Sequence, residues 1–514
     1  MESMNTFKFK RYTQFIIFLS FLGLVISCGK KQQEMAEEIV FVKVGDKSIS
    51  VNEFYKRAEY TIRPPYCKMD NYIHKKIILN SLVAEKLFAL EAGNDNDLVK
   101  SEAFQNYIRG RKEQEMRKYL YRKEGYEKVD LDSNLVKQAY RFAGRKFKVA
   151  YFTVEGDLSA ELIQKRLDAD ASFESVYQEI IGAEKIPERE VEWSKEGNDL
   201  IHNALFMDTQ QVGQVIGPLE AEDGTYTTIK ILGWRDYPAL GETKINQRLS
   251  DVKERLTSEK ALEIYSGFVS NIMTGKKVEF MENTFFKVAE LVQPFYMPSQ
   301  EDKKNSFNQS FWNKKEKSDL NIDELSTNFE DIKDEPFLEL DGEIWTVQDI
   351  RDELAVHPLV FRERKFSKRN FPKQFKLALI DMIRDKFLAQ EAYKKGYDKV
   401  EPVARNIEMW TDNAKSLYHM QDYLSNAGSE YNYGKDYMKI ISEYLNPYVD
   451  SLQTKYSDVI ELDTDVFEKL KLTRIDMFAM EENVPYPIVV PQFPIITDDS
   501  RLNYGKKNGK IIFF

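Results

Sequence analysis

The stretch Phe41-Val42-Lys43-Val44-Gly45-Asp46-Lys47-Ser48-Ile49-Ser50-Val51-Asn52-Glu53-Phe54 reads as a strand, a tight turn, a second strand and the start of a helix. The stretch Phe337-Leu338-Glu339-Leu340-Asp341-Gly342-Glu343-Ile344-Trp345-Thr346-Val347-Gln348-Asp349-Ile350 matches it position by position. Asp and Gly occupy the turn in both, where a residue tolerant of positive φ is wanted. Ser50 and Thr346 then stand where a helix N-cap belongs, because a hydroxyl can accept from the first unpaired amides.

Further matches follow in the same order. Leu79, Leu82, Val83, Leu87 and Leu90 recur at helical spacing, and Leu379, Met382, Ile383 and Phe387 repeat the pattern. Lys86 and Lys386, Ala89 and Ala389, Glu91 and Glu391, and Ala92 and Ala392 are identical pairs. A weaker pair sets Phe268–Phe285 against Tyr448–Phe467, where a helix runs into Val278-Glu279-Phe280 or Ile460-Glu461-Leu462. Three matches in one order point to a module present twice. The first copy carries roughly 100 additional residues, and around 145–235 its pattern turns strand-like.

The expected organisation is therefore α+β, with two helical modules and a small α+β domain inserted in the first. The boundaries are 1–27 for a signal peptide, 38–144 plus 240–292 for module one, and 145–236 for the insert. A polar linker covers 293–335, module two covers 336–475 without an insert, and an extended tail covers 476–514. Pro485, Pro487, Pro491 and Pro494 punctuate that tail, which predicts an extended chain packed on the body or on a partner.

Within the insert, Lys148–Val154 alternates, with Val149, Tyr151 and Thr153 on one face and Ala150, Phe152 and Val154 on the other. Ser159–Leu167 and Phe173–Ile180 read as helices, Val191-Glu192-Trp193 as a short strand and Asp199–Met207 as a short helix. Gly213–Leu219 and Thr225–Leu232 close the unit as a strand pair.

Composition narrows the function classes. The chain has 514 residues, 74 basic and 84 acidic, for a net charge of -10. Nucleic-acid binding, which needs a concentrated basic surface, is not expected. His74, His202, His357 and His419 have no second histidine or cysteine at ligand spacing, so no metal site and no cofactor is expected. His202 reads as a surface or capping residue on its short helix. The basic stretches Arg109-Gly110-Arg111-Lys112 and Lys365–Lys373 read as solvated helix faces.

The N-terminus carries an address. Lys8, Lys10 and Arg11 precede the apolar run Phe15–Ile26, which is too short for a settled span of roughly 20 residues. Val25-Ile26-Ser27-Cys28-Gly29 resembles a bacterial lipobox, which implies a lipid on Cys28. Acylation there leaves Cys67 as the one remaining thiol, so no intramolecular disulfide is expected. The implied location is the periplasm-facing cell envelope; Gly29-Lys30-Lys31, lacking an aspartate, favours the outer membrane.

The insert resembles a parvulin-type (PpiC, rotamase) peptidyl-prolyl isomerase domain. The resemblance rests on Ala150–Val154 as the opening strand and on Ala171-Ser172-Phe173-Glu174-Ser175-Val176-Tyr177 as the next helix. Trp193, the run Gly213-Gln214-Val215-Ile216-Gly217-Pro218-Leu219 and Tyr226-Thr227-Thr228-Ile229-Lys230-Ile231 carry it further. The flanking helical segments are similar to the core of SurA/PrsA-like extracytoplasmic chaperones. That likeness covers about 40–290 well and 335–470 in part.

The resemblance implies a substrate pocket at Tyr151, Trp193, Ile201, Phe206 and Thr227. Both histidine positions of the family differ, with Tyr151 at the first and Thr227 at the second. The family's acidic or thiol position falls near Ile181, with Glu184 the only acidic neighbour, and Gly197 falls near its methionine. Tyr151 and Thr227 can hydrogen-bond across neighbouring strands. Isomerisation needs an apolar grip on proline and polar groups that favour a twisted amide, not a nucleophile. No residue is therefore assigned as catalytic.

The leading expectation is a lipid-anchored envelope chaperone for unfolded or newly exported polypeptides, working without ATP. An active isomerase with a variant pocket, or a scaffold lipoprotein of an outer-membrane assembly, are the alternatives.

Overall fold

The computed structural model describes residues 38–221, 224–297, 330–363, 366–428, 433–473 and 477–504. The expected signal segment, the lipidation position Cys28 and most of the expected linker lie outside the described residues. The fold is mixed α+β, mainly helical with small antiparallel sheets. The strands are β1 (Val40–Val44), β2 (Lys47–Ser50), β3 (Arg145–Glu155), β4 (Glu188–Glu192), β5 (Val215–Glu220), β6 (Thr225–Asp236), β7 (Val278–Phe280), β8 (Pro336–Leu340), β9 (Glu343–Thr346) and β10 (Ile460–Leu462). The described chain divides into two compact units, one of residues 121–271 and the other of residues 38–120 and those from 272 onward.

In the first unit the strands form one sheet in the order β4-β3-β6-β5. The β3–β6 ladder runs from Arg145 opposite Asp236 to Glu155 opposite Thr225. Alternation sorts the side chains to two cores, as the sequence predicts. Phe147, Val149, Ile229 and Ile231 join Trp193, Leu205 and Phe206 on one face. Ala150, Phe152 and Val154 meet Ile163, Phe173, Val176 and Tyr177 on the other. At the β5 bend Gly217 has φ +114°, and a Cβ there would lie 2.6 Å from the Thr227 carbonyl oxygen, so only glycine lets the strands approach.

The second unit holds two three-stranded sheets. Ser50 accepts from the Glu53 amide and so starts the helix Val51–Glu59. Thr346 and Asp349 cap the helix Val347–Val356 reciprocally. The helix Tyr72–Ala92 buries Leu79, Leu82, Val83 and Leu87 completely. Each such side chain contributes roughly 1.5–3 kcal/mol by leaving water.

The third strand of each sheet corrects the expected boundaries. β7, expected to belong with 38–144, pairs with β8 through Val278–Leu340, Glu279–Glu339 and Phe280–Leu338. β10, expected to belong with 336–475, pairs with β1 through Val42–Leu462 and Val44–Ile460. The helices follow their strands. Phe467 after β10 stacks on Phe41 at 6.4 Å, while Phe285 after β7 lies 6.1 Å from Phe337 and 5.6 Å from Phe375. A three-residue strand is stable only on an existing hairpin edge, and each hairpin takes the strand from the other part of the chain.

The linker boundary also moves. The helix Glu282–Tyr296 continues past Gln293 and through Pro294, and Glu335 already pairs with Lys287 at 2.9 Å. The tail, expected to be extended, instead bends at 482–486 and 489–490 around the Met480–Ile488 bridge, and it is packed, with Tyr486, Val490, Phe493, Ile496, Leu502 and Tyr504 all buried.

Candidate functional site

The five residues that the isomerase resemblance singles out lie in the first unit, and the structure brings them to one face of the β4-β3-β6-β5 sheet. Asn198 accepts from the Ile201 amide and starts the helix Asp199–Phe206, which presents Ile201, His202, Leu205 and Phe206 to that face. Phe206 is completely buried, Ile201 is 5% exposed and Trp193 is 6% exposed. The ring of Phe206 meets Phe147 edge-on at 5.2 Å and Trp193 at 5.5 Å. An apolar pocket grips a ligand only with side-chain faces left open, and here those faces are spent on one another.

The polar members are tied up as well. β3 and β6 set Tyr151 opposite Ile229 and Thr153 opposite Thr227. The expected Tyr151–Thr227 bond is thus replaced by one between the Thr153 and Thr227 hydroxyls at 3.0 Å. Tyr151 is half-buried under the Arg189 guanidinium, 5.4 Å from its ring centre, and Arg189 in turn pairs with Glu196 at 2.8 Å. Ile181 remains exposed, away from this cluster's core.

His202 is a correction. It is not on the surface but wholly buried, 4.4 Å from Trp193 and 4.9 Å from Phe206 between ring centres. Neither ring nitrogen makes an aligned hydrogen bond; the Asn203 side chain and the Trp193 main chain are its polar neighbours. Burial, and then the Arg255 charge, push its pKa down to about 3, so the ring is neutral. A neutral, enclosed imidazole fills space.

The second unit contains an arrangement that the sequence did not disclose. The segment 484–504 packs on this unit; its later part is held by buried side chains and by bonds of Thr497, Asp498 and Arg501, and side chains of the body reach its main chain along its length. The Gln114 amide donates to the Tyr486 carbonyl at 3.0 Å and accepts from the Tyr486 amide at 2.8 Å. Arg111 donates to the Ile488 carbonyl at 3.2 Å, and Arg57 to the Gln492 carbonyl at 2.8 Å. Ser81 donates to the Thr497 carbonyl at 3.2 Å and Asn80 to the Asp499 carbonyl at 2.7 Å. Prolines 485, 487, 491 and 494 bring no amide hydrogens, so a surface lined with donors suits this chain.

Arg111 therefore corrects the reading of 109–112 as a solvated face. It is 7% exposed, lies over Trp410 at 3.2 Å from the ring centre and donates to the Tyr107 hydroxyl at 2.6 Å. Gly110 beside it is obligatory, since a Cβ would fall 2.0 Å from the Val356 carbonyl and 2.3 Å from the Tyr486 hydroxyl oxygen. Lys368, Arg369 and Lys373 are exposed as expected, while Lys365 lies outside the described residues.

Deeper in the same unit, Arg57 meets Glu85 with two bonds of 2.7 and 2.8 Å, both side chains fully buried. Burial pulls the guanidinium pKa down, but the Glu85 carboxylate outweighs it and raises the pKa above the ordinary value. Lys86 is likewise buried and held charged by Glu53 and Asp412 at 3.1 Å each, against the opposing pull of burial. A polar cleft of about 580 Å³ opens at Thr274–Lys277, Glu279, Glu339, Asp341 and Gly342, but Asp341 there is taken by Lys276 at 2.6 Å.

Among the described residues no group of three or more His, Cys, Asp or Glu side chains could hold a metal ion, and no helix is long and apolar enough to cross a membrane. No protein-family model, curated protein or solved structure matches the chain.

Proposed function

We propose that the chain is a chaperone of the bacterial cell envelope, tethered by lipid on Cys28, that binds unfolded or newly exported polypeptides. It is built from two copies of a SurA-like helical module, interlocked through their third strands, with a parvulin-like insert whose isomerase site is degenerate. The observation that carries this reading is residues 484–492, which lie in the helical unit and are bonded to Gln114, Arg111 and Arg57 through main-chain atoms. Such contacts read a polypeptide as a polypeptide and not as one sequence, which is what a binder of varied clients requires. Two further features support it. The segments that resemble the isomerase family fall in order on β3, the helix Phe173–Ile180, the end of β4, β5 and β6. Exposed large apolar side chains, among them Met477, Phe478 and Met480, offer adaptable contact surface.

The filled face around Phe206 counts against turnover. The test pairs two measurements on the soluble fragment 29–514. It should suppress aggregation of unrelated unfolded proteins at near-stoichiometric ratios, and NMR exchange should show no acceleration of cis/trans interconversion in an Xaa-Pro peptide. Acceleration that disappears in Phe206→Ala would turn the reading to an active isomerase. Tight binding of one envelope partner without aggregation suppression would turn it to a scaffold.

A further inference from the structure

The tail changes character along its length. From Phe493 onward it belongs to the main core of the second unit, where Phe493, Ile496, Leu502 and Tyr504 pack with Phe41, Leu79 and Val449. Residues 484–492 do not. Their buried side chains reach a small satellite cluster, where Val490 meets Met409 and Trp410 beside Tyr60, Tyr107 and Ile108. Tyr486 is 6% exposed, stands edge-on to Tyr107 at 5.6 Å and donates to the Val356 carbonyl at 2.7 Å. The chain turns back on itself just before, with Glu481 donating to Pro487 at 2.8 Å, and Met480 at the turn is 54% exposed.

The receiving surface has the features of a site for proline-containing polypeptide. A proline-punctuated segment has few backbone conformations to lose and presents carbonyl groups and ring faces, which aromatic-lined surfaces with hydrogen-bond donors recognise. Tyr107 and Trp410 supply the rings, Arg111 a guanidinium stacked between them, and Gln114 an amide that pairs with both main-chain groups of one residue. The Tyr486 hydroxyl bond and ring packing and the Val490 contact with Met409 and Trp410 depend on side chains of the tail.

We propose that the surface of Tyr107, Arg111, Gln114 and Trp410 is a binding site for proline- and aromatic-containing segments of other polypeptides, and that residues 484–492 occupy it as a resident competitor. The inference rests on the chaperone reading and names the chemistry its client site selects. The anchor from Phe493 onward keeps the segment at hand, so its effective concentration is high, and a client binds only to the fraction of molecules in which that surface is open. Client segments bearing an aromatic residue between prolines, as in Pro485-Tyr486-Pro487, are the favoured class.

The test uses a fluorescent peptide with the sequence of residues 484–492 and the soluble chain 29–514, followed by anisotropy. Tyr486→Ala removes the anchor of the resident segment and should raise peptide affinity at least about tenfold over the unaltered chain, as expected when the open fraction is small. Adding Gln114→Ala to that chain should abolish the gain, and a peptide with alanine in place of its tyrosine should not bind. A folded Tyr486→Ala chain that binds no more tightly than the unaltered one overturns the proposal.

Hydrogen exchange on the unaltered chain provides a second route if Tyr486→Ala does not fold. Saturating peptide should strip protection from 484–492 and leave 493–504 protected, and unchanged protection of both segments overturns the proposal. Aggregation suppression is read separately. Peptide binding without it sinks the chaperone reading and leaves the site, whereas suppression without peptide binding does the reverse.

Discussion

The sheet face around Phe206 and the surface around Arg111 are both closed, but by different means. In the first, Trp193, Ile201, His202 and Phe206 occlude one another as parts of one packed layer. In the second, the occluding group is a length of main chain that arrives from far along the sequence and is bonded chiefly through carbonyls. A layer of interdigitated side chains opens only by losing core packing. A segment seated through a few donor–acceptor pairs can exchange them for those of another polypeptide. The difference separates an eroded site from an occupied one.

Arg57 is where the contrast can be broken hardest. It joins the buried Glu85 pair to the tail at Gln492, so Arg57→Ala leaves the Glu85 carboxylate without its main partner in the interior. Asn413 still donates to Glu85 at 2.8 Å, but it brings no charge. The expected loss is about 3–5 kcal/mol, seen as a lower urea midpoint for the helical unit. A loss below about 1 kcal/mol would mean that water reaches the pair, and the tail would then be seated by its apolar residues alone.

The next effect belongs to the sheet face. The folded-state pKa of His202 is held near 3 against an ordinary 6.5, so the folded ring stays neutral where the unfolded one takes a proton. The unfolded state therefore binds more protons at acid pH. Stability is full above 6.5 and falls as the pH drops towards 3. The cost is about 2 kcal/mol between pH 7.5 and 5. His202→Phe should remove that dependence, measured as hydrogen-exchange protection of the β3–β6 amides at the two pH values. Parallel loss in both chains would show that the imidazole is reached by solvent, and that this layer is looser than its burial implies.

Much of this architecture was legible in the sequence because it is local. The caps at Ser50 and Thr346, the two-faced alternation from Val149 to Val154 and the buried stripe of Leu79, Leu82, Val83 and Leu87 each follow from spacing alone. The exchange of β7 and β10 was not legible. Val278-Glu279-Phe280 specifies a strand, but nothing in three residues names the edge it joins. Arg57, Lys86 and Arg111 were hidden for a related reason. A charged side chain reads as solvated until its partner is known, and Glu85, Asp412 and the Ile488 carbonyl come from other elements. The five residues of the isomerase-like face were legible as neighbours and illegible as a filled layer, since fill depends on how closely the helix Asp199–Phe206 settles on the sheet.

The smallest effect gives the finest test of that layer. Thr227 is 8% exposed, and its hydroxyl is bonded to that of Thr153, which is itself exposed. Thr227→Val keeps the shape and removes the bond, while the Thr153 hydroxyl can turn to water, so the desolvation penalty of an orphaned buried group does not arise. A loss of about 0.5–1 kcal/mol follows, the ordinary net value of one hydrogen bond. A larger loss would mean that Thr227 satisfies a second group inside the layer. A loss of this size, with no change in Xaa-Pro exchange, would make Thr227 a sheet-fastening residue. The position that the resemblance assigns to substrate would then carry no more than the cross-strand bond it makes.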